Sequence, residues 1–146
     1  ITIVTLDTGH AATVDDQVDH LAESLEMPAK VRVAVHHMPM YPLTLARMGK
    51  TNKRARAVWG PIFDKYNLQL AFEHHDHRYK RSAPIRNGEV VEGDGLGTIY
   101  LGDGNIGTVV QPGDKAHEVP PQDQWQPYVA RAGLIFMLMF LSKQRC

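Results

Sequence analysis

Short runs of apolar and β-branched residues recur along the chain, each bounded by glycine, proline or polar turn residues. Runs of this length and composition are typical of buried strands. The predicted strands are Ile1–Leu6, Val31–Val35, Leu68–Phe72, Thr98–Leu101 and one near Phe136–Leu141. The first three are nearly continuous apolar runs, which is the pattern of parallel strands that are buried on both faces.

Two stretches between the first three strands have helical patterns. Apolar residues recur at helical spacing from Val14 to Leu25, directly after Thr13, whose hydroxyl suits the start of a helix. The second stretch is Lys53–Tyr66, expected to be interrupted or to restart near Gly60-Pro61, because proline removes a backbone donor. The resulting β-α-β-α-β order predicts an α/β fold, a sheet packed under helices, with a more irregular and strand-rich second half.

Composition excludes several classes of protein. The chain has 146 residues, the size of one domain or of a piece of a larger one. Apolar residues make up 43% of it, so a core is possible and wholesale disorder is excluded. Lys plus Arg and Asp plus Glu number 16 each, which argues against a main role in coating nucleic acid or an anionic membrane. The longest apolar run, Gly133–Leu141, has nine residues, whereas a membrane-spanning helix needs about 20.

Histidine is the abundant ligand-type side chain: the sequence has eight histidines and one cysteine, Cys146. Two histidine motifs follow predicted strands, His36-His37-Met38-Pro39 after the second and His74-His75-Asp76-His77 after the third. Parallel strands end at one edge of a sheet, where ligands bind, so the two motifs are expected within a few ångströms of each other. Neutral imidazoles are good ligands for zinc, iron and manganese.

The geometry of extended chain refines this expectation. Alternate residues of an extended segment share a face, so His75 and His77 are expected on one side and His36 on the side opposite to His37. Three histidines can hold one metal ion, whereas a two-metal site also needs bridging carboxylates. Histidines at strand ends are often structural or merely exposed, so the motifs alone leave a metal site and a structural role open.

The order and spacing of the two motifs resemble those of the calcineurin-like metallophosphoesterases, especially the purple acid phosphatase-like branch. In that family a His-x-Pro-x-Tyr segment follows one strand and a Gly/Asn-His-x-His segment follows another. Here they stand as His37-Met38-Pro39-Met40-Tyr41 and His74-His75-Asp76-His77, and the opening Leu6-Asp7-Thr8-Gly9-His10 also follows the family pattern. The resemblance runs from about residue 1 to about residue 110. It implies that residues 1–146 are the carboxyl-terminal part of one catalytic domain, a layered β-sandwich flanked by helices.

The resemblance also implies a reaction and a site. Two divalent or trivalent transition-metal ions, iron, zinc or manganese, would activate a hydroxide that attacks a phosphate ester, the small-molecule substrate. His37 and His75 would bind one ion and His77 the other. His10, in the turn after the first strand, and His74, where the family usually has Gly or Asn, are the candidates for catalytic contact with the phosphate.

This sequence departs from the family at its amino-terminal end. The family's amino-terminal motifs are Asp-x-His, a Gly-Asp with a metal-binding Asp, and Gly-Asn-His, and they supply the bridging acid and the remaining ligands. Asp-x-His and Gly-Asn-His do not occur here, and the Gly-Asp pairs of this sequence all lie in its second half. The chain alone is therefore expected to lack a complete site, which an upstream segment of the same domain or a partner chain would complete. The alternative is a catalytically inactive binding or interaction module that retains part of the scaffold.

Further expectations concern the partners of the ligands and the location of the protein. Asp76 and Tyr79 are candidates for holding the ligand imidazoles by hydrogen bonds, as the outer partners of metal-bound histidines do. The family favours a secreted or periplasmic location, and the sequence carries no signal for nucleic-acid binding.

Overall fold

The secondary structure follows the predicted order of strands and helices. The computed structural model describes residues 1–43, 48–77, 79–93, 97–103 and 127–131. Its elements are β1 (Thr2–Leu6), a 3₁₀ turn (Asp15–Gln17), α1 (Val18–Glu26), β2 (Arg32–His36), α2 (Lys50–Lys65), β3 (Leu70–Glu73), β4 (Tyr79–Ser82), β5 (Ile85–Arg86), β6 (Glu89–Val90), β7 (Ile99–Asp103) and β8 (Pro127–Arg131). The first four predicted strands are confirmed, whereas the one predicted near Phe136–Leu141 lies outside the described residues.

Six strands form one mixed sheet in the order β1-β2-β3-β7-β4-β8. The first four of these strands run parallel to one another, and β4 is antiparallel to both β7 and β8. A separate hairpin pairs β5 with β6 through a turn at Asn87 and Gly88. Both turn residues have positive φ, 52° and 77°, as the favoured two-residue hairpin turns require. The sheet is therefore of the α/β type that the sequence predicts.

One face of the sheet packs against both helices. The strand residues of this core occupy alternate positions and meet large side chains of α1 and α2. The members that matter most are Val4, Leu6, Ala34, Ala71 and Tyr100 from the sheet, with Leu21, Leu25, Trp59 and Phe63 from the helices. Each large side chain buried in this way contributes about 1.5–3 kcal/mol of hydrophobic stabilisation.

The opposite face of the sheet is apolar as well. We call it the open face and define it by Ile3, Val35, Leu70, Phe72 and Ile99. These residues lie between the core positions of their strands. Ile3 is 63% exposed, and the other four are half-buried. Val33 and Leu101 share this side of the sheet by register and are buried, so the apolar surface within reach of solvent belongs to Ile3 and, in part, to the four half-buried residues.

The helix α2 is continuous, so the expected interruption near Gly60-Pro61 is wrong. Pro61 lies inside the helix, which runs from Lys50 to Lys65. Proline removes the hydrogen bond to the carbonyl four residues earlier, but Ala57 and Pro61 are both exposed, so water can satisfy that carbonyl. The buried side chains of Trp59 and Phe63 hold the helix on either side of Pro61. Among the described residues, no helix is both long and apolar enough to cross a membrane.

Candidate functional site

The two histidine motifs lie side by side at one edge of the sheet. β2 and β3 are parallel neighbours, and their last residues, His36 and Glu73, are register partners. The pairing continues one step beyond the strands, because the main-chain N–H of His74 donates to the carbonyl of His37 at 3.1 Å. The expectation that the carboxyl ends of these strands bring the motifs together is therefore confirmed.

His37 and His75 form the closest pair of imidazoles at this edge. The distance from His37 Nε2 to His75 Nδ1 is 3.0 Å, and the ring centroids are 4.9 Å apart. Zinc–nitrogen bonds are about 2.0–2.1 Å long, so two nitrogens on one tetrahedral or octahedral ion are roughly 3 Å apart. The separation of these two nitrogens thus fits two ligands of the same ion.

The other end of the second motif is turned rather than extended. His75 and His77 have positive φ values, 27° and 52°, a conformation that few non-glycine residues adopt. The premise that an extended chain puts both side chains on one side is therefore wrong. In the described part of the chain, no group of three His, Cys, Asp or Glu side chains has the arrangement to hold a metal ion. The assignment of His77 to a second ion stays a prediction.

The turn after β1 brings a third imidazole to the same edge. The ring centroid of His10 lies 5.8 Å from that of His37, with the two planes at 81°. His10 is exposed, with 72% of its side chain accessible to solvent. The sequence-based proposal that His10 lies near the site agrees with this distance, while its catalytic role stays a prediction.

Asp7 fixes the turn that carries His10. Its carboxylate accepts four main-chain N–H groups, from Gly9, His10, Ala11 and Ala12, at 3.1, 3.0, 2.5 and 2.8 Å. These donors, led by the N–H of His10, hold the pKa of the Asp7 carboxyl well below its usual range. The carboxylate therefore stays charged and keeps the turn closed around it.

Two further contacts attach this turn to its neighbours. The side chain of Gln17 accepts from the N–H of Asp7 and donates to its carbonyl, both at 2.7 Å. The buried hydroxyl of Thr8 accepts the N–H of Met38 at 3.1 Å. Because Met38 directly follows His37, the turn after β1 is tied to the motif after β2.

His36 is a buried packing residue, as the alternation along β2 predicts. Its side chain is only 2% exposed and its ring contacts Trp59, with centroids 5.7 Å apart. His36 Nδ1 lies 2.9 Å from the carbonyl oxygen of Met38, so it is the nitrogen that carries the proton. Burial lowers the pKa of His36, which favours the neutral ring.

Three buried charged residues lie behind the histidines, and sequence reasoning missed two of them. Glu73, Asp76 and Lys80 have side chains no more than 3% exposed. Lys80 Nζ lies 2.7 Å from Glu73 Oε2 and 3.3 Å from Asp76 Oδ2. The contact with Glu73 Oε2 is an ion pair whose geometry does not meet that of a hydrogen bond. The sequence signal that could have found the missed residues is Glu73, a glutamate at the core-facing end of an apolar strand. A buried carboxylate nearly always has a charged partner, so its position indicates a buried cation nearby.

Asp76 has a different role from the expected one. It accepts the main-chain N–H of Leu43 at 2.9 Å and pairs with Lys80, rather than holding a ligand imidazole. The expectation for Asp76 is therefore wrong: its carboxylate is drawn inward by the buried ammonium group. The side chain of Tyr79 lies outside the described part of the structure. Its expected role therefore stays a prediction.

Comparison with known proteins identifies the fold. No protein-family model matches the chain, and no curated protein matches it by sequence. Among solved structures, it is similar to the purple acid phosphatase PPD1 from yellow lupin (Lupinus luteus) seeds, with a TM-score of 0.66 and 18% identity over 90% of this chain. It is also similar to GAP50, the anchor in the inner membrane complex of Plasmodium, with a TM-score of 0.62 and 13% identity over 92% of this chain.

These similarities confirm the fold that the motifs suggest. The chain has part of the purple acid phosphatase-like fold, and it spans 24% of the lupin protein and 39% of the Plasmodium protein. At identities of 18% and 13%, the comparison establishes the arrangement of strands and helices and leaves the chemistry to the residues of the site.

Proposed function

We propose that this chain is part of a metal-dependent phosphoesterase that hydrolyses phosphate esters. The observation that carries the proposal is the 3.0 Å separation of His37 Nε2 and His75 Nδ1. These nitrogens come from the segments that directly follow two neighbouring parallel strands of a purple acid phosphatase-like fold, at the edge of the sheet where ligands bind. His37 is exposed and His75 is half-buried, and their facing nitrogens share a hydrogen bond that an ion could replace.

His37 and His75 would hold one ion through their facing nitrogens, and His77 would contribute to a second. When bound, such ions neutralise the charge that develops on the phosphate and supply a hydroxide near neutral pH. The donors of this chain are neutral nitrogens, which suit iron, zinc or manganese. Carboxylate ligands that bridge two ions would come from outside the described residues, because these contain no group of three metal-type side chains.

His10 and His74 are proposed to contact the phosphate ester. The exposed ring of His10 stands beside His37, within reach of a phosphate oxygen held at the site. His74 is half-buried and is joined to His37 through the main chain. An imidazole N–H next to the reacting group can donate to a phosphate oxygen or protonate the leaving alcohol.

A further segment of the same domain, or a partner chain, is proposed to complete the site. The open face supports this, since its five apolar residues, which include Ile3 and Phe72, are exposed or half-buried. Large exposed apolar patches mark surfaces that another element covers. This chain spans only 24% and 39% of the two matched structures, which is consistent with its being part of a larger domain.

The experiment is hydrolysis of an activated aryl phosphate by the protein in its full natural length, loaded in turn with Zn²⁺, Mn²⁺ or iron. We expect turnover that a chelator abolishes and added metal restores. The isolated 146-residue chain should be inactive or nearly so, because three neutral imidazoles cannot neutralise and space two dications. Absence of turnover with every metal would overturn the enzymatic proposal, and robust turnover by the isolated chain would refute its incompleteness.

The second candidate is a catalytically inactive binding module. It is favoured by the absence of a three-ligand group among the described residues, and one matched structure is itself described as an anchor. The sequence of the whole gene separates the two candidates. Asp-x-His and Gly-Asn-His segments upstream favour the enzyme, whereas a gene that begins at this chain favours the module.

A further inference from the structure

The segment that follows His37 is held almost entirely by side chains. We call residues 38–43 the proline loop, because Pro39 and Pro42 lack an N–H and prevent a regular strand or helix there. Its remaining N–H groups all donate to side chains. The acceptors are Thr8 Oγ1 for Met38, Glu73 Oε1 for Met40 and Tyr41 at 2.5 and 3.4 Å, and Asp76 Oδ2 for Leu43 at 2.9 Å.

The carbonyls of the proline loop are bound in the same way. Four consecutive carbonyls, from Met38 to Tyr41, receive side-chain donors. These donors are His36 Nδ1 at 2.9 Å, Asn52 Nδ2, Arg56 Nη1 at 2.7 Å and Lys80 Nζ at 2.7 Å. A loop without its own hydrogen-bond ladder thus has its backbone polar groups satisfied from outside, which fixes its path.

Three of the partners are buried charges from the other motif. Glu73 precedes His74, Asp76 stands between His75 and His77, and Lys80 follows on β4. Each carries a charge that is expensive to bury, and apolar residues of similar volume often stabilise a fold equally well. Stability alone therefore does not account for an ionic cluster here. The three side chains make four hydrogen bonds to the proline loop, which apolar residues could not make.

We propose that Glu73, Asp76 and Lys80 are positioning residues that hold His37 and His75 at metal-ligand distance before an ion binds. The proposal rests on the function proposed above and deepens it. Glu73 and Asp76 flank His75 in the chain, and their carboxylates bind the residues directly after His37. This network adds side-chain bonds to the main-chain bond that already joins His74 to His37.

Lys80 completes the network by pairing with both carboxylates. Its ammonium group reaches Glu73 and Asp76 and also donates to the carbonyl of Tyr41. It balances one of two negative charges that would otherwise repel each other inside the protein. Sites whose ligands are held in place before binding lose less conformational freedom when the ion arrives, and so bind it more tightly.

The test compares zinc binding by the full-length wild-type protein and its Glu73→Gln variant, with thermal melting as the check on folding. Glutamine keeps the size of the side chain and an oxygen for Met40 but removes the charge that pairs with Lys80. We expect zinc affinity to fall at least about tenfold, the usual effect of removing a partner behind a metal ligand. The absorption spectrum of bound Co²⁺ should change as well. The matched control is Asp15→Asn, which breaks the exposed ion pair with Arg54 and should leave both unchanged.

A second measurement reports on the histidines without metal. Through-space NMR contacts between the His37 and His75 rings should be present in the metal-free wild type and lost in Glu73→Gln. Unchanged zinc affinity and unchanged ring contacts in a folded variant would overturn the positioning role.

If Glu73→Gln does not melt cooperatively, Asp76→Asn is measured in its place. If neither variant folds, the cluster has a folding role only, and the proposal is overturned. A wild type that binds no zinc would overturn the proposed function, and the ring contacts would then decide the positioning role alone.

Discussion

His36 and His37 are consecutive in the chain and lie in opposite environments. The side chain of His36 is buried against Trp59, with 2% of the residue exposed, whereas His37 is exposed beside His75. The alternation of a strand, which places neighbours on opposite faces, produces this division. One histidine therefore serves packing, and the other is available for a ligand.

Replacing these histidines should separate metal binding from stability. Metal analysis of the intact protein should find about two transition ions per site, and His75→Ala should lower that number. Its effect on melting should be smaller than that of His36→Ala, because His75 is half-buried and His36 is fully buried. His36→Ala should instead destabilise by about 1–3 kcal/mol, since it removes a buried ring that packs against Trp59 and the donor to the Met38 carbonyl. Full metal content in His75→Ala would contradict the site.

Two glycines should respond in opposite directions to alanine. A Cβ at Gly97 would lie 2.7 Å from the carbonyl oxygen of Ile85 and 2.8 Å from its carbon, so Gly97→Ala should cost about 1–3 kcal/mol through backbone displacement. A Cβ at Gly60, inside α2, meets only Met40 Cε at 4.0 Å. Gly60→Ala should therefore stabilise by about 0.5–1 kcal/mol. Denaturant unfolding measures the free energy of unfolding of both variants. Equal effects of the two changes would contradict the close approach of Gly97 to the backbone of Ile85.

Asp7 should make stability depend on acid. Its pKa is lowered in the folded protein by main-chain donors, first that of His10, so its contribution is fully present above the unfolded value of about 3.9. That contribution should be lost as the pH falls below this value toward the lower folded pKa. Asp7→Asn, whose amide nitrogen cannot accept, should lower the melting temperature at neutral pH and weaken this acid dependence.

The control for Asp7→Asn is Asp19→Asn, an exposed position in the first turn of α1. Melting curves between about pH 2 and pH 7 span the expected window. An Asp7→Asn variant with the same acid profile as the wild type would show that the ionisation of Asp7 does not contribute to the acid dependence of folding.

The isolated chain should expose its open face. We expect residues 1–146 expressed alone to aggregate or to bind an apolar dye, as loosely packed proteins with exposed apolar surface do. Ile3→Thr, on the open face, should reduce dye binding, whereas Met27→Thr, at an exposed position just after α1, should not. A soluble monomer that melts cooperatively and binds no dye would favour the independent module.

The sequence by itself determined the elements and the place of the site. Apolar runs and a period of 3.6 residues are local properties. They located β1, β2 and β3 within about two residues, and they located α1 together with the 3₁₀ turn before it. The position of both histidine motifs directly after neighbouring strands then required that they meet at one edge, because parallel strands end together. The same alternation separated His36 from His37.

Tertiary structure alone decided how the site is held. Glu73 and Met40 are 33 residues apart in the chain, and Lys80 and Tyr41 are 39 apart, so no local pattern pairs them. The continuity of α2 through Pro61 depends likewise on which side of the helix faces solvent. The positive φ values of His75 and His77 arise in a turn between two elements of one sheet. Periodicity describes one element at a time, whereas these features depend on which elements pack together and which polar groups they bury.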